Sequence, residues 1–192
     1  MGRKSSKEVI LDAAFELVEE VGYDGATIDA IIARAGIARG TFYYNFKSKE
    51  AVIVALARHK FRPLAEQVEA KLASGASPLD ALEVMVGQTM QWNLDHPHFA
   101  EALIRCSQTE LGKSLPPDPN NPASFRSFVA GLIARGQEEG SIRNDTPAQM
   151  LAVMLTSLLL HGIAAWLYAP TKPDLQVWGQ KALQLFWEGC RK

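Results

Sequence analysis

Little in this chain of 192 residues alternates with a period of two, so strand signals are almost absent and helical spacing dominates. Cysteine is nearly absent as well. Cys106 and Cys190 stand far apart and in no metal or redox spacing, which excludes a disulfide framework and fits reduced cytoplasmic thiols. The motifs of several enzyme classes are missing: no Gly-x-Ser-x-Gly elbow, no P-loop, no dinucleotide glycine fingerprint and no zinc-protease helix. Serines, histidines and acids occur, but no spacing groups them. His96 and His98 flank Pro97 without a cluster of carboxylates or cysteines, so they read as a helix break with exposed imidazoles. No metal and no cofactor is expected. The formal net charge is only −1, which argues against a generic polyanion binder.

One long apolar run exists, from Met150 to Tyr168. Thr156, Ser157, His161 and Gly162 interrupt it, and neither end carries a cluster of Lys or Arg. It reads as a helix buried on nearly all sides of a bundle, with no membrane as partner. The N-terminal stretch from Ser5 to Glu20 is broken by charges and has no secretory pattern, so the expected location is cytoplasmic.

What is present is helix. A hydrophobic content of 47% suffices for a sizeable core. Ser5-x-x-Glu8 reads as a capping box. Ser77-Pro78 and Thr146-Pro147 each pair an N-cap with proline at the first helical position, and Gln149 completes a box in the latter. Three N-terminal helices are followed by further ones at about 49–73, 78–95, 98–111, 124–139, 147–168 and 174–190. The fold class is therefore all-α, with about nine helices. Pro63 removes one backbone hydrogen bond from the long helix that starts at Lys49 and should bend it. Gly112 to Pro122 holds four prolines in eleven residues and reads as a loop able to cover a ligand entrance.

The most informative stretch is 27 to 49, TIDAIIARAGIARGTFYYNFKSK. Ile28, Ile31, Ile32 and Ala35 recur at helical spacing, Thr27 can cap that helix, and Asp29 sits where the dipole favours an acid. Gly36 follows where a chain leaving a helix needs a left-handed residue. A second short helix runs from about Ala38 to Phe46 with Phe42 and Phe46 inward, leaving Arg39, Thr41, Tyr43, Tyr44 and Asn45 to face outward. Two short helices around a glycine turn are the helix-turn-helix plan, whose second helix enters the DNA major groove. Local charge agrees: Arg34, Arg39, Lys47 and Lys49 occur with no acid between 34 and 49, and Arg3, Lys4 and Lys7 precede the first acid, Glu8.

Residues 7 to 56 resemble the N-terminal DNA-binding domain of the TetR family of bacterial transcriptional regulators. Gly22-Tyr23, Thr27-Ile28, Ile31-Ile32-Ala33, Ala35-Gly36-Ile37, Gly40-Thr41-Phe42-Tyr43, Phe46 and Ser48-Lys49-Glu50 carry the match. Ala38 departs from it, standing where the family has a hydroxyl residue, and Asn45 where an aromatic or His is common. The resemblance implies phosphate contacts from Thr27, Tyr43 and Lys49. Arg39, Thr41 and Tyr44 are the candidates for base edges, Arg39 through its guanidinium fork and Thr41 through hydroxyl and methyl. Gly40 would let the helix approach DNA closely.

The same resemblance divides the chain into a reader at 1–47 and a ligand-binding and dimerisation domain at 48–192. It implies a homodimer closed by the last two helices, with apolar surface from Leu151, Leu155, Leu158, Leu159, Leu167, Trp178, Leu183, Phe186 and Trp187. Residue type in the middle helices nominates Met85, Trp92, Phe99 and Trp166 for an apolar pocket, with Gln88, His96, Arg105 or His161 fixing one polar group. The partners are thus a pseudo-palindromic operator and a small, mostly apolar effector that releases the protein from it. Two other readings stay open: a DNA-binding regulator with no small-molecule effector, and a helical enzyme or carrier with an appended helix-turn-helix.

Overall fold

In a computed structural model, residues 4–111 and 124–191 are described, with side chains for 4–106 and 124–191. The proline-rich stretch at 112–122 lies outside the described residues, as does Arg3. Among the described residues the structure is helical throughout, in the order α1 (Ser6–Gly25), α2 (Ile28–Ala35), α3 (Arg39–Asn45), α4 (Lys49–Ala73), α5 (Pro78–Asp95), α6 (Pro97–Leu111), α7 (Phe125–Glu138), α8 (Ala148–Tyr168) and α9 (Leu175–Cys190). By packing, the chain divides into two compact units: Met1–His59 with His96–Lys113, and Lys60–Asp95 with Ser114–Lys192. The boundary in the sequence reading separates the reader helices after residue 47, whereas the units part within α4 and return α6 to the first unit.

The start signals mostly act as read. Ser5 and Glu8 form a reciprocal capping box on α1. Ser77 and Asp80 do the same for α5, with the Asp80 N–H on the Ser77 hydroxyl and the Ser77 N–H on the Asp80 carboxylate. The α8 start differs. Pro147 itself is the N-cap, and no side chain caps the helix. The Thr146 hydroxyl is turned to Asp145, while its carbonyl accepts from Gln137, so that residue closes the α7–α8 connection instead.

In the first unit α1 packs on α2, α3 and α6. Its core is built from Ile10, Leu11, Ala14 and Val18 on α1, Ile31, Phe42 and Phe46 from the short helices, and Phe99, Ala102 and Cys106 from α6. Glu19 ties α1 to the start of α6: its carboxylate accepts the Phe99 N–H at 2.9 Å and lies 3.5 Å from His96 Nδ1. His98 Nδ1 meets the Glu19 carbonyl at 2.8 Å. The two imidazoles therefore brace a helix junction, and among the described residues no three His, Cys, Asp or Glu gather as a metal site.

In the second unit α5 packs on α9 and α7, and α8 on α7 and α9. Glycine makes two of these approaches possible. A Cβ at Gly179 would lie 2.6 Å from Met90 Cγ, and one at Gly162 would lie 2.1 Å from the Trp178 ring. The reading of α8 as buried on nearly all sides is corrected here, since only 39% of its most apolar window is covered. Leu151, Leu155, Leu159 and Ile163 face the core, whereas Met150, Met154 and Leu158 form an exposed stripe at i, i+4 and i+8. Two neighbouring helices cover only one side of a cylinder.

Candidate nucleic-acid interface

The reader begins with a break. Gly22 takes φ +72° and ψ 176° inside α1, a conformation that L side chains rarely adopt, so the helix turns before Tyr23. That turn presents Tyr23 to the start of α4. Its hydroxyl donates to Glu50 Oε1 at 2.8 Å, its carbonyl accepts from Lys49 Nζ at 2.7 Å, and the ammonium lies 3.9 Å from its ring centroid. Burial, followed by the bond to Glu50, pushes the Tyr23 phenol well above its usual pKa. The Glu50 carboxyl is held low by its own backbone N–H first, then by the Ser48 and Tyr23 hydroxyls. Two motif fragments separated in sequence, Gly22-Tyr23 and Ser48-Lys49-Glu50, thus clasp each other.

Thr27 caps α2, its hydroxyl accepting from the Ala30 N–H at 3.2 Å. Gly36 closes α2 in the left-handed region at φ +63°, as its place in the motif requires. Ala38 provides no side-chain cap for α3. Phe42 is fully buried and Phe46 nearly so, which fixes the inward face. Tyr44 projects furthest, at 87% exposed, with Tyr43 at 39%. Arg39 and Gly40 are exposed and Thr41 is half-buried. At Gly40 a Cβ would meet nothing within 4 Å, so the fold itself does not require glycine there.

A shallow groove of about 460 Å³ is lined by Thr27, Ile28, Asp29, Arg39, Tyr43, Lys47, Ser48, Lys49 and Glu50, with Gly40, Thr41 and Tyr44 outside its lining. Arg39 pairs with Asp29 at 2.8 Å and lies 5.8 Å from the Tyr43 ring centroid. Of the basic residues counted in sequence, Arg34 is turned away, bonded to Glu20 at 2.7 Å and to Glu16 at 3.4 Å on α1. Asn45, placed among the outward residues, donates to the Thr41 carbonyl of its own helix. Lys47 is the residue that sequence reasoning left unassigned; it is exposed and lines the groove, and its place in the acid-free stretch was the signal for it. The arrangement offers cations, hydroxyls and one exposed aromatic tip on a face rooted in a rigid core.

Residues 10–56 match the model of the bacterial regulatory proteins of the tetR family. The fatty acid metabolism regulator protein of Bacillus subtilis is 23% identical across 94% of this chain and 93% of its own. The repressor AcnR of Corynebacterium efficiens is 28% identical over 81% of this chain and 78% of its own. The crystal structure of Thermus thermophilus FadR, a TetR-family repressor in complex with lauroyl-CoA, superimposes with a TM-score of 0.78 at 25% identity, covering 95% of this chain and 94% of that one. The DNA-binding domain at residues 10–56 is that of the TetR family. The chain is a transcriptional regulator with an N-terminal helix-turn-helix and a C-terminal helical region.

The residues nominated for an effector are divided between the two units. His96, Phe99 and Arg105 belong to the first unit, Met85, Gln88, Trp92, His161 and Trp166 to the second. Gln88, Arg105 and His161 are exposed. Arg105 is bonded to Asp24 at 2.8 Å and Glu101 at 2.9 Å. Met85 and Phe99 are fully buried, each within its own unit, and Trp92 and Trp166 are half-buried. The interface residues also divide. Leu151, Leu155, Leu159, Leu183 and Phe186 are buried within the single chain because α8 and α9 pack on each other and on α7 and α5. Leu158 is exposed, and Leu167, Trp178 and Trp187 are half-buried. Sequence reasoning missed further exposed apolar side chains besides Leu158, namely Met150 and Met154 on α8 and Val177 and Leu185 on α9. Helical spacing from Leu158 was the signal that could have found Met150 and Met154.

Proposed function

We propose that this regulator acts as a homodimeric repressor that reads a pseudo-palindromic operator and leaves it when a fatty-acyl thioester binds. The observation that carries the DNA part is the groove between Thr27 and Glu50, which gathers Arg39, Tyr43, Lys47 and Lys49 on one face. Thr27, Tyr43 and Lys49 take phosphates, Arg39, Thr41 and Tyr44 reach base edges, and Gly40 allows close approach. Residues 1–47 are the reader; residues 48–192 hold the effector and the dimer contact. The exposed stripe of Met150, Met154 and Leu158, with Val177 and Leu185, supports α8 and α9 as the dimer face. Two recognition helices must then stand about one DNA turn apart, roughly 34–36 Å, which an effector can spoil by favouring another spacing. The class of effector rests on likeness to the Thermus thermophilus repressor bound to lauroyl-CoA. The protein regulates rather than catalyses, and it works in the cytoplasm with the DNA.

The test joins binding and linkage. Selection of bound fragments from random DNA should return a site with two-fold symmetry, protected on both half-sites. Lauroyl-CoA should then bind free protein more tightly than the DNA complex, by the same factor that it weakens the operator. An asymmetric protected site would overturn the dimer geometry. Equal affinities for free and DNA-bound protein would overturn acyl-CoA as the inducer.

A further inference from the structure

Two polar groups one turn apart on α5 are buried without a use in the fold. Asn93 is 4% exposed, and its Oδ1 has no hydrogen-bond partner among the described residues. The Thr89 hydroxyl oxygen is equally inaccessible and equally unpartnered among them. The amide of Asn93 is not free to turn over. Its Nδ2 donates to the Thr89 carbonyl at 2.7 Å, and the flipped arrangement would set two oxygens against each other. So Oδ1 is an acceptor of fixed aim. The buried face of α5 that leads to these groups is apolar: Leu82, Met85, Val86 and Met90 are all buried, and Val86 and Met90 close on Gly179 of α9. An acceptor and a hydroxyl left unmet in such surroundings penalise the fold, and native structures keep few of them without a functional reason.

Resting on the effector reading above, we infer that Asn93 and Thr89 hold the amide-bearing arm of an acyl thioester. The chemistry is selective. A hydrocarbon chain alone would leave both groups unmet in a still drier place. A free carboxylate at neutral pH only accepts hydrogen bonds, so it has nothing to offer Asn93 Oδ1. A pantetheine-type arm carries an amide N–H for Asn93 and, nearby, carbonyl oxygens for the Thr89 hydroxyl. The pair therefore selects the thioester over the free fatty acid of the same length.

Calorimetry with three probes tests this: lauroyl-CoA, S-lauroyl-N-acetylcysteamine and laurate. The short thioester keeps one amide and lacks the nucleotide. Wild-type protein should bind both thioesters at least about tenfold more tightly than laurate. Asn93→Leu and Thr89→Val, each close in size to the native residue, should each shrink that gap by about tenfold. Their ligand-free Tm should stay within a few degrees of wild type, because each removes an oxygen without a partner, against which Asn93→Leu loses one bond to the Thr89 carbonyl, and operator affinity should stay unchanged. An undiminished gap in either folded variant overturns the assignment, as does laurate binding as tightly as the thioesters. A fall of several degrees in both Tm values would mean that the pair supports the fold, which also overturns it. If wild-type protein bound none of the three probes, the effector reading itself would fail, and this assignment with it.

Discussion

The two compact units are held by different chemistry. In the first, helix ends are fastened by polar clasps: Tyr23 to Lys49 and Glu50, Glu19 to the start of α6, Arg105 to Asp24, Arg34 to Glu20. In the second, the helix faces meet through apolar side chains and glycine, with Gly162 against Trp178 and Gly179 against Met90. A polar clasp fixes an angle through a few directional bonds, and losing one weakens the fold modestly. A glycine contact fixes a distance, and any added atom must displace a neighbour. The reader is thus built to hold orientation, the larger unit to hold shape.

The sharpest way to break this contrast is in the second unit. Gly162→Ala places a methyl 2.1 Å from two atoms of the Trp178 ring, which is itself pinned by a 3.1 Å bond from Nε1 to the Leu158 carbonyl. Overpacking of this kind costs about 1–3 kcal/mol, offset by roughly 1 kcal/mol of helix propensity gained over glycine. Net destabilisation should appear as a lower midpoint in urea, together with altered Trp fluorescence. Unchanged stability would mean that α8 and α9 slide past each other at little cost, and the second unit would not be shape-held.

The contrast also explains what could be read in the sequence. Helix existence followed from spacing and caps, because both are local. In the reader the inward face was legible: a short motif around Gly36 fixes which side of α3 faces inward, so Phe42 and Phe46 fell in the core and Arg39 and Tyr44 outside it, while Arg34 and Asn45 bond to neighbouring helix groups instead. The clasp of Tyr23 on Lys49 and Glu50 was not legible, since nothing local says that residues 26 and 27 apart will meet. In the second unit residue type did not say which side of a helix is covered. Leu155 and Leu158 are the same amino acid three positions apart, yet one is fully buried and the other 43% exposed. Which face of an almost wholly apolar helix turns inward is set by its neighbours, not by its own composition.

A change of intermediate size tests the polar clasp. Tyr23→Phe keeps the ring beneath Lys49 but removes the hydroxyl that Glu50 accepts, a loss of about 1 kcal/mol for a half-buried bond to a carboxylate. The pH dependence gives the sign. The Tyr23 phenol is raised in the folded state, so its contribution is complete below the unfolded value of about 10 and is lost as pH climbs above it. Wild-type stability, followed by urea melts from neutral pH upward, should therefore decline beyond about pH 10, and Tyr23→Phe should remove that part of the decline. Identical alkaline limbs in the two proteins would place the phenol in solvent and dissolve the clasp.

The smallest effect on the fold should come with a clear effect on function. Asp29 and Arg39 pair at 2.8 Å in the groove, with side chains 74% and 66% exposed. An ion pair so wet contributes roughly 0–1 kcal/mol to stability, so Asp29→Asn should leave the melting curve nearly unmoved. On DNA the acid has two consequences. It repels phosphate from the middle of a basic groove, and it holds the Arg39 guanidinium at α2 until a base edge competes for it. Removing it should strengthen binding to random duplex several-fold and steepen its salt dependence by about one contact, a slope change near 0.9, as Arg39 becomes available to any phosphate. Under the proposed contact of Arg39 with a base edge, affinity for the operator should rise less, so the ratio of operator to random binding should fall. Fluorescence anisotropy with both duplexes at two salt concentrations measures all of this. A ratio that stays constant would mean that Asp29 acts on Arg39 only as surface charge. A ratio that falls together with an unmoved melting curve would separate the two ways this molecule uses charge: polar clasps inside the first unit that hold helix ends together, and a pair on its surface that leaves the fold alone and restrains the reader.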